Sequence, residues 1–474
     1  MAADRAAQAG PGRAGSRPLY AEIADAGSLT PFGEEIEAAN PSDWPGYPDQ
    51  LRRARNATGA RHAVTTAMAT VGGEACVLVG FEFRFLGGSM GTAEGARIVR
   101  AFSAAVAERL PIVCVSASGG SRMQEGTSAL LQMQAVAAAV AGARRAGIPH
   151  IAVAGDPTTG GVWSSLIADA DVLISVPGAR VSFSGSRTRP AGADPRSLDY
   201  LADGKWVNGF VDVLAPVPEL RAEVATAVRL LSPRSRGDGP GRAPLPLWPA
   251  GQDDGDGPPG ADAWAHVSRA RSPRRARADR WLAGYFGQRF EIRGDRCGGV
   301  DPGVRCGFGS HQGATIAYVA QAGVPSTPAG FRTATRLLGL AARFRLPVLT
   351  LIDTSGAAAA PADEAAGVGP AIAELFVAMA SSQVPVTSVV IGEGVSGGAL
   401  ALASPSDLWI ARDGYLAVTA PELASLILKL GAHDIPQVAA WLRLTPAELL
   451  SRDIVRGIIG PPASTARGHR RSGG

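Results

Sequence analysis

Lysine is almost absent from this chain of 474 residues. Lys205 and Lys429 are the only lysines among 46 basic residues, so arginine carries nearly all of the positive charge. The arginines are scattered along the chain, and the formal net charge is only +4. Proteins that bind nucleic acid usually concentrate their basic residues in a patch or stripe. The composition therefore argues against a nucleic-acid partner and favours a simple arginine bias.

Cysteine is scarce, since four are present and none has C-x-x-C spacing. Cys76 and Cys114 lie in apolar, strand-like runs, where a cysteine behaves as a small core residue. Cys297 and Cys306 flank a glycine-rich turn, but two further ligands are not found near them in the sequence. Because a structural zinc ion needs four ligands, we predict that the chain binds no metal. A metal site at Cys297 and Cys306 is the weaker alternative.

Long apolar runs are also missing. No stretch approaches the roughly 20 apolar residues that cross a bilayer, and no charged-then-apolar leader opens the chain. The sequence therefore predicts no membrane segment and a cytoplasmic location. The six histidines are dispersed, and neither a Ser-His-Asp pattern nor a pair of carboxylates stands out. Catalysis by a side-chain nucleophile is not indicated.

The chain does contain one sequence pattern twice. Residues 110–120 and residues 346–356 both begin with Leu-Pro, continue as an apolar strand and end in small residues with glycine. Downstream, a second apolar strand leads to Gly160-Gly161 in the first half and to Gly397-Gly398 in the second. We interpret the two halves as one structural unit used twice.

The order of predicted elements indicates an α/β fold. Strands over 63–71 and 75–81 are joined by Gly72-Gly73, which is a hairpin signal. A helix over 92–109 follows, and then a buried strand, a glycine turn and a helix over 127–145. Strands separated by helices of this length predict a ββα spiral arrangement and exclude a sandwich of two sheets.

Composition divides the chain into five segments. Residues 1–41 are predicted to form a mobile N-terminal extension, and 42–218 a first domain that includes a packed helix within 44–58. Residues 219–262 are rich in Pro, Gly and Arg, which predicts a linker. Residues 263–460 form the second predicted domain, in which a helical run covers 422–450. Residues 461–474 are predicted to be a loose tail.

The turn at Gly119-Gly120 is the leading candidate for chemistry. It follows an apolar strand and opens a helix, and the first N–H groups of a helix have no partners inside it. Such N–H groups can hold a developing negative charge. A glycine turn alone is more often plain turn chemistry. Two such turns at comparable places in a repeat favour a functional role.

With these motifs in place, the sequence resembles the carboxyltransferase component of biotin-dependent acyl-CoA carboxylases. The first half resembles the bacterial β-subunit through residues 81–91, 116–125 and 156–162. The second half resembles the α-subunit through residues 294–296, 352–354 and 391–400, although its motifs are thinner. The resemblance covers residues 42–215 and 263–460. It implies two crotonase-like (ClpP/crotonase) ββα-spiral domains in tandem, as in a natural fusion of the two subunits.

The resemblance implies transfer of a carboxyl group from carboxybiotin to the α-carbon of an acyl-CoA such as acetyl-CoA, which gives malonyl-CoA. Fatty acid and polyketide biosynthesis use this product. In the family no side-chain base is required. By resemblance, Gly119 and Gly120 would hold the thioester enolate, and Gly397 and Gly398 the biotin oxyanion. Substrate contacts are expected at Gly87, Gly88, Ser118, Arg122, Gly160, Gly161, Gly356 and Ser396.

Arg122, Asp295 and Arg296 each have a structural and a functional interpretation. Arg122 either contacts a CoA phosphate or pairs with Glu125. Asp295 and Arg296 are more typical of an internal salt bridge than of catalysis. Asp353 is expected to orient its turn.

The family also implies partners. Biotin would arrive on a separate biotin carboxyl carrier protein, charged by a biotin carboxylase, because no ATP-binding module or biotinyl-lysine sequence is found. We expect a homo-oligomer, a dimer or larger, with each active site between the first domain of one chain and the second domain of another.

Two departures leave alternatives open. The zinc ribbon of the β-type domain is absent, and residues 354–361 replace the α-type Thr-Pro-Gly-Ala-Tyr-Pro-Gly pattern. The second departure falls on the biotin side and favours a biotin-independent decarboxylase of malonyl-type thioesters. An inactive scaffold subunit of a carboxylase complex is the third possibility.

Overall fold

The computed structural model describes residues 17–33, 35–185, 188–192, 194, 196–233, 241–250 and 262–461. Within these residues, each half of the chain is an α/β module built on its own eight-stranded sheet. The two sheets have the same strand order, in which an antiparallel hairpin leads into a run of parallel strands. The predicted α/β fold used twice is therefore observed.

The first module contains eight strands and seven helices in its described residues. Its strands are β1 (Thr30–Pro31), β2 (Val64–Val71), β3 (Glu74–Phe81), β4 (Ile112–Ser118), β5 (His150–Thr159), β6 (Val172–Ser175), β7 (Val181–Ser182) and β8 (Val213–Leu214). Its helices are α1 (Leu19–Ile23), α2 (Tyr47–Thr58), α3 (Thr92–Glu108), α4 (Gly126–Arg145), α5 (Gly160–Val162), α6 (Ala202–Val207) and α7 (Val217–Leu231).

The second module repeats this plan. Its helices are α8 (Ala263–Arg271), α9 (Ala278–Tyr285), α10 (Pro328–Phe344), α11 (Pro361–Ala365), α12 (Val368–Ala380), α13 (Ser396–Leu400), α14 (Pro421–Ile427), α15 (Ile435–Trp441) and α16 (Pro446–Ser451). Its strands are β9 (Gln288–Ile292), β10 (Val304–His311), β11 (Ala314–Gln321), β12 (Val348–Thr354), β13 (Val386–Val395), β14 (Leu408–Ala411), β15 (Tyr415–Ala417) and β16 (Ile458–Ile459).

A constant spacing relates the two copies. Helix α3 begins at residue 92 and α10 at 328, strand β4 at 112 and β12 at 348, and strand β5 at 150 and β13 at 386. Equivalent elements are thus 236 residues apart in all three comparisons. Even the left-handed residues that end α3 and α10, Arg109 (φ 53°) and Arg345 (φ 56°), obey this spacing. Any residue of the first copy can therefore be compared with its partner in the second.

The parallel strands are buried on both faces. Every residue of β12 is buried, and so is nearly every residue of β4. A parallel sheet that helices cover on both faces requires such continuous apolar runs. The same runs provided the strongest strand signals in the sequence, and the predicted hairpin at Gly72-Gly73 is confirmed as β2 and β3.

The predicted linker is wrong over its first part, because α7 occupies residues 217–231. Leu220, Val224 and Val228 of this helix are fully buried, in a core cluster that includes Phe290 and Ile292 of the second module. Composition pointed to a linker because the region is rich in Pro and Arg. The apolar residues nevertheless recur with helical spacing, and a proline in the first turn starts the helix.

Further along the same predicted linker, residues 241–250 also pack on the second module. Trp248 meets Trp281 edge to face with ring centroids 6.0 Å apart. Residues 234–240 and 251–261 lie outside the described residues.

The predicted mobile extension is also packed where it is described. Tyr20 of α1 lies so close to Gly80 that a β-carbon there would be 2.3 Å from the tyrosine ring, and Ile23 is fully buried. Strand β1 pairs with β2 through Thr30 and Met68. Helix α1 has only three large apolar side chains and strand β1 only two residues, so the sequence pattern was too short to reveal either element. Residues 1–16, and 462–474 of the predicted tail, lie outside the described residues.

The predicted helical run over 422–450 is three helices, α14, α15 and α16, because turns at Gly431 and Thr445 and prolines at 436 and 446 interrupt it. Within 44–58 the predicted packed helix is confirmed as α2. The remaining predicted domain boundaries stay predictions. In the part of the chain that the structure describes, no helix combines the length and the apolar character needed to cross a bilayer.

Polar and glycine contacts fix the two modules against each other. Asp212 of the first module accepts hydrogen bonds from Arg296 at 2.6 Å and Arg336 at 3.1 Å. A β-carbon on Gly209 would lie 2.7 Å from the Cα of Gly294, so the two backbones touch. Asp212 also accepts from the Leu173 N–H at the start of β6, whereas the glycine turns follow the ends of β4 and β12.

Candidate active site

The first glycine turn follows β4 directly. Gly120 has φ +105°, a conformation that favours glycine. The Gly120 N–H donates to Ser118 Oγ at 3.0 Å, and the Gly119 N–H donates to the carbonyl of Gly87 at 2.9 Å. Ser118 Oγ in turn donates to the carbonyl of Gly88 at 2.6 Å. Both N–H groups therefore already have acceptors, which counts against the prediction that Gly119 and Gly120 hold the thioester enolate through them.

The N–H of Ser121, the residue after Gly120, is not used in this way. Met90 donates its N–H to Gly120 O at 2.8 Å and accepts from the Arg122 N–H at 2.9 Å. These two bonds bracket Ser121 as a parallel bridge, so the Ser121 N–H faces away from Met90. Among the described residues, no hydrogen bond engages that N–H. It is the amide of this turn that a bound oxygen can reach.

Helix α5 begins beside the same turn. Gly160 has φ +60° and donates its N–H to the carbonyl of Phe183 at 3.0 Å. A β-carbon on Gly161 would lie 2.6 Å from Ser121 Oγ, and one on Gly120 would lie 3.4 Å from the Gly161 nitrogen. The Gly161 N–H belongs to the first turn of α5 and has no acceptor inside the helix. We call the N–H groups of Ser121 and Gly161 the first NH site.

The second half repeats this geometry at the end of β12. Gly356 has φ +127°, and its N–H donates to Thr354 Oγ1 at 3.2 Å. Ser326 donates to Gly356 O at 3.1 Å and accepts from the Ala358 N–H at 2.8 Å. The two hydrogen bonds of Ser326 thus flank Ala357, just as those of Met90 flank Ser121. The N–H of Ala357 therefore faces away from Ser326.

Helix α13 packs on this second turn. A β-carbon on Gly398 would lie only 2.5 Å from the Ala357 nitrogen. Ser396, with φ +61°, is the equivalent of Gly160. Because Ser396 corresponds to Gly160, Gly161 corresponds to Gly397. The paired glycines in the sequence had suggested instead that Gly161 corresponds to Gly398. We call the N–H groups of Ala357 and Gly397 the second NH site.

A cavity of about 410 Å³ opens beside the second NH site. Gly397 and Ser396 form part of its wall, and most of the remaining lining is apolar, including Leu400, Leu416 and Ile454. A β-carbon on Gly397 would meet no atom within 4 Å. The position of the missing β-carbon of Gly397 is thus open, at the wall of a cavity whose lining is mostly apolar.

Arg122 lies beneath the first turn and has a fully buried side chain. It pairs with Glu94 at 2.8 Å and with Glu125 at 3.3 Å. Burial on its own would lower the pKa of Arg122, but Glu94 and Tyr47 beside it raise that pKa above the usual value. The interpretation of Arg122 as a CoA contact is wrong, since no substrate can reach it. The pairing with Glu125 is confirmed.

Buried charges in the second half are also structural. Asp353 accepts hydrogen bonds from Arg275 at 2.5 Å and from the Glu393 N–H at 3.1 Å, which ties the ends of β12 and β13 together. This contact agrees with its predicted role in orienting the turn. Asp295 pairs with Arg332, and Arg296 pairs with Asp212, so both form internal salt bridges with partners other than each other.

The other predicted contacts are distributed around the two turns. Gly87 and Gly88 both have positive φ, and a β-carbon on Gly88 would lie 2.1 Å from Ala117 O. They shape the loop that supports the first turn. Gly160, Gly161, Ser118, Gly356 and Ser396 adjoin the NH sites as described, while their contacts with substrate stay predictions.

Sequence reasoning missed Ser121 and Ala357. The signal was present, since each is the first residue after a turn glycine that follows a buried strand. Recognising it required knowing that the glycine N–H groups are taken by hydroxyls two residues earlier, Ser118 Oγ and Thr354 Oγ1.

Cys76 and Cys114 are buried core residues, as predicted. Cys306 is buried too, which raises the pKa of its thiol, whereas Cys297 is exposed. In the described ranges, no three His, Cys, Asp or Glu side chains are arranged to hold a metal ion.

Two family models match the chain in complementary parts. A carboxyl transferase domain matches residues 24–188, and an acetyl co-enzyme A carboxylase carboxyltransferase-like domain matches residues 260–472. The chain is 37% identical over 464 residues to the acetyl-coenzyme A carboxylase carboxyl transferase subunits beta/alpha of Salinispora tropica, covering 94% of this chain and 82% of that protein. It is 34% identical over 480 residues to the protein of the same description from Saccharopolyspora erythraea, covering 96% and 82%.

A further relative is a probable biotin-dependent acyl-coenzyme A carboxylase beta3 subunit of Mycobacterium bovis, 32% identical over 444 residues, with coverage of 92% and 87%.

Solved structures share the fold. Transcarboxylase 12S, with hydrolysed methylmalonyl-coenzyme A bound, superposes with a TM-score of 0.72 at 19% identity, covering 94% of this chain and 86% of that chain. A single-chain, multi-domain long-chain acyl-CoA carboxylase gives a TM-score of 0.74 at 20% identity, covering 97% and 45%. The predicted pair of crotonase-like domains is confirmed.

Proposed function

The chain belongs to the family of acetyl-coenzyme A carboxylase carboxyl transferase subunits beta/alpha, and from this premise we propose how its two NH sites divide the reaction. It is a biotin-dependent acyl-CoA carboxyltransferase. The finer proposal is that carboxybiotin on a separate carrier protein donates the carboxyl group, that acetyl-CoA accepts it at its α-carbon, and that malonyl-CoA is the product.

The proposal rests on one observation, the repetition of the same pair of amides 236 residues apart. Each NH site combines the amide after a positive-φ glycine with an amide in the first turn of a helix. Carboxyl transfer to a thioester develops negative charge on two oxygens, one on the acyl acceptor and one on the carboxyl donor. Two sites of preorganised N–H donors meet that need.

We assign the first NH site to the acyl acceptor. Ser121 and Gly161 donate to the thioester oxygen as the α-carbon loses its proton, and the charge is stabilised without reorganisation of the protein. The second NH site then holds the ureido oxygen of the donor through Ala357 and Gly397. When bound, carboxybiotin supplies the carboxyl group and a ring nitrogen that can take up the α-proton.

The second NH site fits such a donor. The open space above Gly397 leads into the cavity of about 410 Å³, whose apolar lining suits the hydrocarbon part of a bicyclic ring. Preorganised amides surrounded by apolar side chains hold a developing charge more strongly than water does. Leu400 and Leu416 provide that surrounding here.

Apolar side chains near both NH sites support an assembly of several copies. Met123 and Phe183, near the first site, are 76% and 68% exposed, and Val418, near the second, is 74% exposed. Within one chain the modules meet elsewhere, through Asp212 and Gly209. We therefore propose a dimer or larger oligomer in which the first NH site of one copy faces the second NH site of another. The structural neighbour transcarboxylase 12S is described as a hexamer assembly.

The altered loop at 354–361 bears on the alternatives. It removes side chains that the family pattern contains, yet Gly356 keeps its positive φ and its bond to Thr354 Oγ1. An intact second NH site supports carboxyl transfer over biotin-independent decarboxylation. Intact donors at both sites also count against an inactive scaffold.

The reaction can be tested in reverse. Purified protein is incubated with malonyl-CoA, with and without free biotin, and the release of acetyl-CoA is measured. The proposal expects release that depends on biotin. Release at the same rate without biotin would support the decarboxylase, and no release under either condition would support the scaffold.

A further inference from the structure

A buried ionic cluster lies beneath the first NH site. Its members are Arg122, Glu94, Glu125 and Tyr47, and the side chains of the arginine and both glutamates are fully buried. One positive and two negative charges are thus held away from water. Such a cluster is stable only when hydrogen bonds satisfy the charged atoms.

Most of the carboxylate oxygens are satisfied by backbone amides. Glu94 accepts from the N–H groups of Ala63 at 3.1 Å and Gly91 at 3.0 Å. Glu125 Oε2 accepts from Thr92, through the N–H at 2.6 Å and Oγ1 at 2.7 Å. These contacts leave Glu125 Oε1 as the oxygen that depends on side chains.

Tyr47 supplies the main hydrogen bond to that oxygen. Its hydroxyl donates to Glu125 Oε1 at 2.5 Å and accepts from Arg122 Nη1 at 3.2 Å. Burial raises the pKa of Tyr47 above its usual value, so the hydroxyl keeps its proton. The tyrosine is the first residue of α2, a helix of the first module.

Arg122 connects this cluster to the first NH site. Its guanidinium donates to Ser89 O at 2.6 Å and to Ser89 Oγ at 3.1 Å, while its own N–H donates to Met90 O. Ser121 is its neighbour in the chain. The side chain and backbone of Arg122 therefore hold the Ser121 peptide against the loop that carries Ser89 and Met90.

The second half does not repeat this cluster at the equivalent positions. The residues 236 positions after Glu94, Arg122 and Glu125 are Gly330, Ala358 and Pro361. The second half has a different cluster, in which Arg271 pairs with Glu393 and Glu422 and the Tyr415 hydroxyl donates to Glu393. The arrangement around Arg122 is thus particular to the first module in its positions, although the second module also contains an Arg–Glu–Tyr cluster.

We propose that Tyr47 is a positioning residue for the first NH site, acting through Arg122 and Glu125 to fix the direction of the Ser121 N–H. The proposal rests on the function assigned above. Without the tyrosine hydroxyl, Glu125 Oε1 retains only Arg122 at 3.3 Å. The guanidinium then moves towards Glu125 and away from Ser89, because an unsatisfied buried carboxylate is costly. The Ser121 amide follows this movement.

Activity responds to such movements more than binding does. A misplacement of about 1 Å can cost about 100-fold in rate. For a smaller rotation of one of two amides we expect a loss of about 10-fold in kcat. The KM for malonyl-CoA changes less than about 2-fold, because the interaction with the charged oxygen belongs to the transition state.

The test compares Tyr47→Phe with Tyr318→Phe in biotin-dependent release of acetyl-CoA from malonyl-CoA. Tyr318 is fully buried and its hydroxyl donates to Glu291 at 3.3 Å, so the control also loses a buried Tyr–Glu hydrogen bond. Rates are expressed per CoA-binding site, counted by calorimetry, so that partly unfolded protein does not contribute. If Tyr47→Phe does not fold, Glu125→Gln, of the same size, replaces it with the same expected loss.

Lower kcat with unchanged KM in Tyr47→Phe, and wild-type kinetics in Tyr318→Phe, support the proposal. Wild-type kcat per site in Tyr47→Phe, or a raised KM with unchanged kcat, overturns it while the carboxyltransferase assignment stands. Absence of biotin-dependent release in the wild-type protein overturns both.

Discussion

Gly120 and Gly356 lie 236 positions apart and have the same role. Their φ angles are +105° and +127°, and each donates its N–H to the hydroxyl of the residue two positions earlier, Ser118 or Thr354. The amide that follows each glycine is thereby turned towards the start of a helix. This shared geometry produces two matching NH sites from one duplicated turn.

Removing the hydroxyl that anchors the first turn should impair catalysis. In Ser118→Ala the Gly120 N–H loses its buried acceptor, which costs about 1–3 kcal/mol in the free energy of unfolding, and the turn loosens. We expect kcat to fall about 10-fold at a temperature where the variant is folded. Steady-state kinetics and urea unfolding measure both effects.

Ser175→Ala is the matched control, because Ser175 Oγ is equally buried and donates to Ala154 O at 2.7 Å, away from the turn. It should show some loss of stability and wild-type kcat. Equal losses of kcat in the two variants would show that the Ser118 bond has no special place in the reaction.

Blocking the second NH site should impair the biotin-dependent reaction and leave CoA binding unchanged. Gly397 has open space around its missing β-carbon, so Gly397→Ala should fold with wild-type stability. The added methyl group occupies the position above the amide and hinders the donor oxygen. We expect biotin-dependent release of acetyl-CoA to fall about 100-fold, the typical cost of losing one oxyanion donor.

CoA binding by Gly397→Ala, measured by calorimetry, should be unchanged. Gly284→Ala is the control, since a β-carbon on Gly284 also meets nothing within 4 Å. A weakened affinity for CoA in Gly397→Ala, with biotin dependence intact, would reverse the assignment of the two sites.

Because Arg122 is buried, replacing it should lower the free energy of unfolding and should not weaken the binding of CoA esters. Arg122→Met leaves two buried carboxylates without their cation, which should cost about 3–5 kcal/mol in the free energy of unfolding. Arg52→Met removes an exposed pair with Asp49 and should change stability little. Thermal unfolding of both variants distinguishes the cases. A stable Arg122→Met protein with a raised KM for CoA esters would restore the discarded role in CoA binding.

The salt bridges that Asp212 makes between the modules should cause the free energy of unfolding to decrease at acid pH. Burial alone would raise the pKa of Asp212, but Arg296 and Arg336 hold that pKa below its usual value. The unfolded chain, with a pKa of about 3.9, therefore binds the proton first as pH falls. The stabilisation is present above about pH 4 and is lost as pH drops through the pKa of the folded state.

Asp212→Asn tests this dependence. It should be less stable at pH 7, because the two arginines lose their buried counter-charge. It should also lose part of the decline in urea midpoint that the wild-type protein shows between about pH 5 and pH 3. Parallel pH profiles for the two proteins would mean that Asp212 does not contribute to acid sensitivity.

The sequence predicted the duplicated α/β architecture because its parallel strands are buried on both faces. Residues 110–115 and 346–352 are short, mostly apolar runs that are rich in β-branched residues and are followed by small residues and glycine, a combination that favours buried strands. Helix α7 was missed because the Pro-, Gly- and Arg-rich stretch that follows it dominated the composition of the predicted linker, although the buried apolar residues of the helix recur with helical spacing. Local composition does not reveal which residues a second module will cover.

The proposed donors lie within one residue of the glycines that the sequence indicated at each turn. Glycine pairs marked the right places, but hydrogen bonds to Gly87 and Ser118 decide which amides are free. The bond to Gly87 depends on a loop some 30 residues away, whereas the bond to Ser118 comes from a side chain two residues earlier. The burial of Arg122 was equally hidden, because its partner Glu94 lies on a different helix. Contacts between segments distant in sequence, and not local propensity, fixed the final positions of the donors.

The central claim is that the first NH site of one copy and the second NH site of another serve one active site. Two variants, Gly161→Val and Gly397→Val, each block one site and should each be inactive alone. When they are co-expressed and purified together, half of the random dimers are mixed, and each mixed dimer has one intact site of two. We predict recovery of about a quarter of the wild-type biotin-dependent activity. A co-purified mixture that remains inactive would contradict the claim.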